Sequence, residues 1–177
     1  MHKLSIVIIT KNEESNISRC LESVKKIADE IIVVDDFSND KTVELCTSYG
    51  CRVILRKFHD FSDQKQFAVD QSVNDWVFSI DADEELTEKM QNEIKQLFSN
   101  EVIPCVAYKT PRLLFYMGHR MRLSGVGEKP VLRIFNKNHI EFSASKCNRG
   151  EYKHTRGTPL RITKCLHKQI ISAGLMN

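Results

Sequence analysis

The stretch that decides the fold is EIIVVDDFSNDKTVELCTSYG, residues 30–50. It opens with an apolar run of the length of a buried strand and continues into a polar loop. Asp40 stands where the N-cap of a helix is expected, and Gly50 stands where that helix would stop. The stretch therefore predicts a strand, a loop and a helix, with Asp35 and Asp36 together at the end of the strand.

The same unit recurs on both sides of this stretch. Apolar strands are predicted at residues 3–10, 52–56 and 76–80, and helices at 14–27, 61–73 and 87–99. The helical spacing is clearest where Ile17, Cys20, Leu21 and Val24 share one face. Four consecutive strand–helix units predict a parallel, doubly wound sheet with helices on both faces.

The pattern loosens after residue 100. VAYKTPRLLFYMGHRM (106–121) and PVLRIFNKNHIEF (130–142) contain strand-like runs, with glycines marking loops between them. We therefore expect additional mixed or antiparallel strands that extend the sheet.

Composition indicates one domain with an ordinary core. The chain has 177 residues, 41% of them hydrophobic and 28% charged, which suffices to bury a continuous core. Its apolar runs are too short to cross a bilayer and its first residues lack a signal-peptide pattern, so we predict a cytoplasmic protein. The six cysteines form no CxxC pair, which favours reduced thiols over disulfides or zinc.

Charge is distributed unevenly between the two parts of the chain. Residues 1–100 contain 12 Lys+Arg against 19 Asp+Glu, a net −7, whereas residues 101–177 contain 14 against 4, a net +10. Such a split predicts that the two parts meet different partners, or one anionic partner from opposite sides; an ordinary solvated surface is the alternative. The basic part lacks the aromatic interleaving of nucleic-acid binders, so we favour a phosphorylated partner or peripheral contact with anionic lipid at the inner face of the cell membrane, and no nucleic acid.

Polar clusters follow three of the predicted strands: TKNEE (10–14), DDFSND (35–40) and DADEE (81–85). In parallel sheets ligands bind outside the carboxyl ends of the strands, so these clusters predict a binding site. If the fourth strand continues, Asp81 and Asp83 point to the same side and form an oxygen-rich platform for Mg²⁺ or Mn²⁺. The phosphates of a nucleotide would complete the coordination. Alternatively, Asp83 or Glu84 caps the helix that begins near Thr87.

Several motifs in a fixed order identify a resemblance: LSIVIITKNEE, EIIVVDDFSNDKT, FSDQKQFAVDQSVNDWVFSIDADEEL and VLRIF. Together they resemble family 2 glycosyltransferases, in particular the bacterial group that builds lipopolysaccharide core and similar surface glycans. The likeness is strong over residues 3–98 and consists of scattered motifs afterwards. It implies an α/β GT-A fold, Rossmann-like and mostly parallel, with a smaller mixed extension after residue 100.

The resemblance also implies a division of labour within one domain. Residues 1–100 would form the nucleotide-sugar-binding half, and residues 101–177 the acceptor-side half, shortened at the C-terminus relative to family members. The implied donor site contains Thr10, Asn12 and Glu13 beside the nucleotide, Asp36 accepting from the base, Lys65 near the nucleotide, Asp81 facing ribose or metal, and Asp83 binding the metal ion.

The implied reaction is inverting transfer from a nucleoside-diphosphate sugar, with a UDP-sugar favoured, to a glycan or glycolipid acceptor. Glu128 is our candidate for the general base, and Glu151 is its rival. Arg133 either grips the diphosphate, holds the base loop or forms a structural ion pair, and His167 either touches the diphosphate or is structural.

Other functions fit the sequence less well. A phosphoryl-transfer domain with Asp81 as nucleophile would carry its Asp-x-Asp motif after the first strand, and here the motif follows the fourth. A nucleotidyltransferase would need a glycine-rich phosphate loop after the first strand, where TKNEE has no glycine. A sugar-nucleotide-binding protein without turnover remains the alternative.

Overall fold

The strands of the first hundred residues build the parallel half of the main sheet in this computed structural model. It describes residues 2–116, 119–120, 130–143, 151–154, 164–165 and 170–173, with side chains over 2–111, 113 and 130–142. The strands are β1 (Leu4–Thr10), β2 (Glu30–Asp35), β3 (Arg52–Leu55) and β4 (Trp76–Ser79). β1 pairs in parallel with β2 on one side and β4 on the other, and β3 lies beyond β2. Nearly every residue of β1 and β4 is buried, as expected for strands covered on both faces.

Helices cover both faces of this sheet. The helices are α1 (Ile17–Val24), α2 (Thr42–Ser48), α3 (Phe61–Asp70) and α4 (Glu88–Ser99). Buried residues of α1, α2 and α4 share one core with Ile6 and Phe78, whereas buried residues of α3 share the opposite core with Val7 and Val77. The predicted doubly wound arrangement is therefore confirmed.

The ends of two helices show how local sequence sets these boundaries. Gly50 has a φ of +75°, and the amides of Gly50 and Cys51 donate to the carbonyls of Thr47 and Cys46. This is the Schellman pattern, so the predicted stop at Gly50 is confirmed. The predicted cap at Asp40 is wrong by one position: Lys41 is the N-cap of α2.

The segment after residue 100 adds strands of both directions, as predicted. The remaining strands are β5 (Glu84–Leu86), β6 (Ala107–Thr110), β7 (Arg112–Tyr116), β8 (His119–Arg120), β9 (Val131–Asn136), β10 (Ile140–Ser143), β11 (Glu151–His154), β12 (Lys164–Cys165) and β13 (Ile170–Ala173). The main sheet has the order β12-β6-β9-β4-β1-β2-β3, and β9 runs antiparallel to both β4 and β6. A second sheet has the order β5-β13-β7-β8, and β10 and β11 form an antiparallel pair.

The cysteines whose side chains are described are free thiols: Cys20 and Cys46 are buried, and Cys51 and Cys105 are partly buried. This agrees with the predicted reduced state for those four. Within the described part of the chain, no helix combines the length and the apolar character that a bilayer crossing requires.

Candidate functional site

A cavity of about 550 Å³ opens at the carboxyl ends of β1, β2 and β4. This volume lies within the usual range for small-molecule sites. Its polar lining consists of Thr10, Lys11, Glu13, Asp36, Gln64, Asp81 and Asp83, and its apolar lining consists of Ile9, Phe58, Phe61 and Ala82. The predicted meeting of the polar clusters at one edge of the sheet is thus confirmed by their geometry.

The cavity brings together five of the residues that the sequence proposed for donor and metal binding: Thr10, Glu13, Asp36, Asp81 and Asp83. Asn12, Lys65 and Arg133 do not line it. Lys65 and Arg133 contact Asp81, which does, and Asn12 contacts the loop after β2. Glu128 and His167 lie outside the described residues, and Glu151 is described only as part of the backbone of β11. Their predicted roles remain predictions.

The acidic motif after β4 forms a turn and does not continue the strand. β4 ends at Ser79, and the Glu84 amide donates to the Asp81 carbonyl at 3.0 Å. The expectation that strand pleating places Asp81 and Asp83 on one side is therefore wrong. The capping alternative is wrong too, because the N-cap of α4 is Thr87, whose side chain accepts from the Met90 amide.

An ion-pair network holds this turn from below. Arg133 on β9 is 3% exposed, and its Nη2 donates to Asp81 at 2.9 Å and to Glu84 at 2.5 Å. Lys65 on α3 donates from Nζ to the other Asp81 oxygen at 2.7 Å. The Asp81 amide also donates to Glu84 at 3.2 Å. For Arg133, these contacts match the structural ion pair rather than a direct grip on a ligand.

The two carboxylates of this network have pKa values shifted in opposite directions. Burial alone would raise the pKa of Asp81, but the charges of Arg133 and Lys65 outweigh it and hold this pKa well below its usual range. Burial, followed by the negative charge of Asp81, raises the pKa of Glu84, although the charge of Arg133 opposes this shift. Asp81 is therefore ionised and already neutralised by protein cations.

Asp83 differs from Asp81 because the nearby positive charge of Arg133 does not outweigh its burial and its acidic neighbours. Burial, followed by the negative charges of Asp81 and Glu13, raises the pKa of Asp83. Glu13 itself accepts a hydrogen bond from Asn16 at 2.9 Å. Among the described side chains, none forms an ion pair with Asp83. A carboxylate held in this way at a cavity wall favours a cation supplied from outside.

The residues at this wall fit a divalent metal ion that takes most of its coordinating oxygens from bound phosphates and water. The described part of the chain contains no cluster of three or more acidic, histidine or cysteine side chains placed to hold a metal. Mg²⁺ needs only one or two carboxylates when phosphates and water supply the other oxygens. Asp83 can supply one of these, and Asp81 is less available because Lys65 and Arg133 engage it.

A second hydrogen-bonded cluster fixes the loops after β1 and β2 against each other. Asn12 and Phe37 have positive φ angles of 53° and 51°. The Asn12 amide donates to Ser38 at 2.7 Å, and its side chain accepts from the Asn39 amide at 2.9 Å. Ser38 in turn donates to the buried Asp35 at 2.5 Å. Asn12 therefore shapes the rim of the cavity without facing it.

The end of the cavity beside Asp36 contains residues that the sequence analysis missed. The Asp36 carboxylate accepts from Lys11 Nζ at 2.5 Å and from the Phe58 amide at 2.9 Å. The rings of Phe58 and Phe61 pack edge to face at 5.0 Å, and Phe61 remains 53% exposed. Two aromatic residues after the third strand, flanking a polar loop, were the available signal.

Among the described residues, one buried hydroxyl at this cavity has no hydrogen-bond partner. Thr10 is 7% exposed and lines the cavity, and its Oγ1 makes no hydrogen bond to any described residue. A buried hydroxyl without a partner is costly, so it favours a ligand oxygen at this position.

Comparisons with known proteins agree with these observations. A sequence model of the family described as Glycosyl transferase family 2 matches residues 5–156. An uncharacterised glycosyltransferase of Rickettsia typhi is 41% identical over 81% of this chain and 49% of its own length. The lipopolysaccharide core biosynthesis glycosyltransferase LpsC of Rhizobium meliloti is 31% identical over 81% of this chain and 54% of its own length. The chain thus spans about half the length of these curated relatives.

A solved structure extends the likeness to the fold. S. aureus TarS 1-349 in complex with UDP-GlcNAc superposes with a TM-score of 0.65 at 14% identity, covering 99% of this chain and 59% of that one. At this identity the likeness concerns the fold alone. With the strand order above, it confirms the predicted α/β GT-A fold.

Proposed function

This chain belongs to glycosyl transferase family 2, and from that premise we propose that it moves a sugar from a nucleoside-diphosphate sugar to a glycan or glycolipid acceptor. A place in the assembly of lipopolysaccharide or a related surface glycan is supported by the 31% identity to LpsC. A UDP-sugar is the favoured donor, and the expected stereochemical course is inversion. The activity is proposed for the whole protein, and residues 1–100 are proposed to form its donor site.

The observation that carries the proposal is the carboxylate of Asp83, which forms no ion pair with the described side chains, in a cavity where Asp36 and Asp81 are ion-paired. Departure of a nucleoside diphosphate leaves negative charge on the phosphate oxygens. Mg²⁺ or Mn²⁺, once bound, would supply Lewis-acid stabilisation of that charge. Asp83 is the residue proposed to hold the ion, and the raised pKa of this carboxyl is what such a cation would reverse.

The remaining walls would place the other parts of the donor. Asp36, with Phe58 and Phe61 beside it, suits a base that stacks on aromatic rings and donates an N–H. The hydroxyl of Thr10, which makes no hydrogen bond to the described residues, suits a ribose or phosphate oxygen. Lys65 and Arg133 would keep Asp81 ionised and the turn fixed, so that the position of Asp83 is set before the donor arrives.

Transfer also needs a base that takes the proton of the acceptor hydroxyl. We assign this role to Glu128, with Glu151 as the rival, because acids are scarce in the basic half of the chain. The positive charge of that half suits a phosphorylated glycan or an anionic membrane surface next to a cytoplasmic enzyme. A donor-binding protein without turnover is the alternative function.

A donor screen tests the proposal. The protein is incubated with UDP-, GDP- and other nucleotide sugars, with and without Mn²⁺, and release of the nucleoside diphosphate is recorded. We expect metal-dependent release from at least one UDP-sugar, abolished in Asp83→Ala. Asp70→Ala is the matched control, because Asp70 is an exposed acid on α3 away from the cavity lining.

The screen can contradict the proposal in two ways. Full activity and metal dependence in Asp83→Ala would remove the assigned role of Asp83. Binding of a sugar nucleotide without any release or transfer would favour the non-catalytic alternative.

A further inference from the structure

We propose that Lys11 and Asp36 together read the edge of the donor base, which makes Lys11 a specificity-determining residue. The inference rests on the proposed function and concerns the same cavity. Lys11 follows β1 and Asp36 follows β2, and Lys11 Nζ lies 2.5 Å from Asp36 Oδ2. Both side chains line the cavity, so a ligand there meets a cationic donor and an anionic acceptor side by side.

Asp36 is held as a fixed acceptor. Its other oxygen, Oδ1, accepts from the Phe58 amide at 2.9 Å, and its side chain is 14% exposed. The hydrogen bond from Lys11, followed by that from the Phe58 amide, lowers the pKa of Asp36. The carboxylate is therefore ionised near neutral pH and can only accept hydrogen bonds.

Lys11 is the more exposed member of the pair. Its side chain is 57% exposed, and ammonium groups carry three donors that can be shared between a carboxylate and a ligand carbonyl. An exposed ion pair of this kind contributes little to stability, so it can open for a ligand at small cost. Phe58 and Phe61 form an aromatic wall at the same end of the cavity, where a base would stack.

The two side chains match one hydrogen-bonding pattern among the common bases. Uracil presents N3–H beside the O4 carbonyl, and guanine presents N1–H beside the O6 carbonyl. Each pattern offers a donor to Asp36 and an acceptor to Lys11. Cytosine and adenine present an unprotonated ring nitrogen beside an amino group. Their ring nitrogen, an acceptor, would face the Asp36 carboxylate, and their amino group, a donor, would face the Lys11 ammonium. The pair should thus select uracil and guanine nucleotides against cytosine and adenine nucleotides.

The test is calorimetry of the whole chain with UDP, GDP, CDP, ADP and inorganic pyrophosphate, each with Mn²⁺. Wild type is compared with Lys11→Met, which removes the donor, and with Lys57→Met. Lys57 is the matched control, because its charge also lowers the pKa of Asp36 although Lys57 does not line the cavity.

We expect wild type to prefer UDP and GDP over CDP and ADP. Lys11→Met should weaken UDP and GDP about tenfold, as for loss of a charge-assisted hydrogen bond, and change CDP, ADP and pyrophosphate less than about twofold. Lys57→Met should keep the wild-type ranking.

Each of five results would overturn the inference. A uniform loss in Lys11→Met that includes pyrophosphate would assign Lys11 to the phosphates, and an unchanged ranking would leave it without a role in selection. A wild-type preference for cytosine or adenine nucleotides would contradict the complementarity. Equal binding of all four nucleotides would contradict this inference alone. No binding of any nucleotide would contradict the proposed function as well.

Discussion

Removal of Arg133 tests whether the ion-pair network holds the acidic turn. Arg133→Met keeps the bulk of the side chain and leaves Glu84, which is 1% exposed, without this guanidinium. Removing one partner of a buried ion pair typically costs about 3–5 kcal/mol. Because Lys65 still neutralises Asp81 at 2.7 Å, we expect the lower end, about 3 kcal/mol.

Urea unfolding followed by circular dichroism measures this loss. With a slope of about 1–3 kcal/mol/M, the midpoint should fall by roughly 1–3 M. Glu84→Gln added to Arg133→Met removes the buried negative charge that has lost this guanidinium, and it should recover at least half of the loss. Because the pKa of Glu84 is raised in the folded state, the penalty applies above that pKa and should shrink as the pH is lowered from 7.5 towards 5. A loss below about 1 kcal/mol in Arg133→Met, or no recovery in the double variant, would refute the reasoning.

Three further changes have expected outcomes. In calorimetry at pH 7, Asp83→Asn should stabilise the metal-free protein by about 1 kcal/mol, because burial and like charges raise the pKa of Asp83. This gain should vanish as the pH falls towards 4, and a less stable variant at pH 7 would contradict the prediction. Phe37→Gly should stabilise the protein by about 1 kcal/mol, because the exposed Phe37 is strained at a φ of 51°. Asn12→Gly should not stabilise it, because the Asn12 side chain accepts a hydrogen bond that glycine would lose. Equal effects of the two substitutions would contradict this prediction. Glu128→Gln should leave donor binding near normal while turnover collapses, and retained turnover would shift the role to Glu151.

The sequence allowed the parallel half of the fold to be predicted because its signals are local. Each strand of that half is a short apolar run, and the helix after it has its own apolar face, as Ile17, Cys20, Leu21 and Val24 show. Parallel strands place their carboxyl ends at one edge, so the meeting of Asp36 with Asp81 and Asp83 followed from topology alone.

The remaining features depend on contacts between distant parts of the chain. Arg133 meets Asp81 and Glu84 only because β9 is inserted antiparallel beside β4, which no local pattern specifies. β5 pairs with β13, which lies far along the chain. Because of this pairing, the end of the polar motif is a strand, whereas the sequence suggested a helix cap there. Phe58 and Phe61 were missed because a loop residue and the first residue of a helix belong to no apolar periodic pattern.

The central claim is that Asp83 holds a divalent ion against the diphosphate of an activated sugar. Electron paramagnetic resonance of free Mn²⁺, titrated with protein in the presence and absence of UDP, measures it directly. The account predicts weak Mn²⁺ binding without UDP, much tighter binding with it, and loss of this increase in Asp83→Asn. Equal Mn²⁺ binding in wild type and Asp83→Asn, or UDP binding that is unchanged when the metal is chelated, would contradict it.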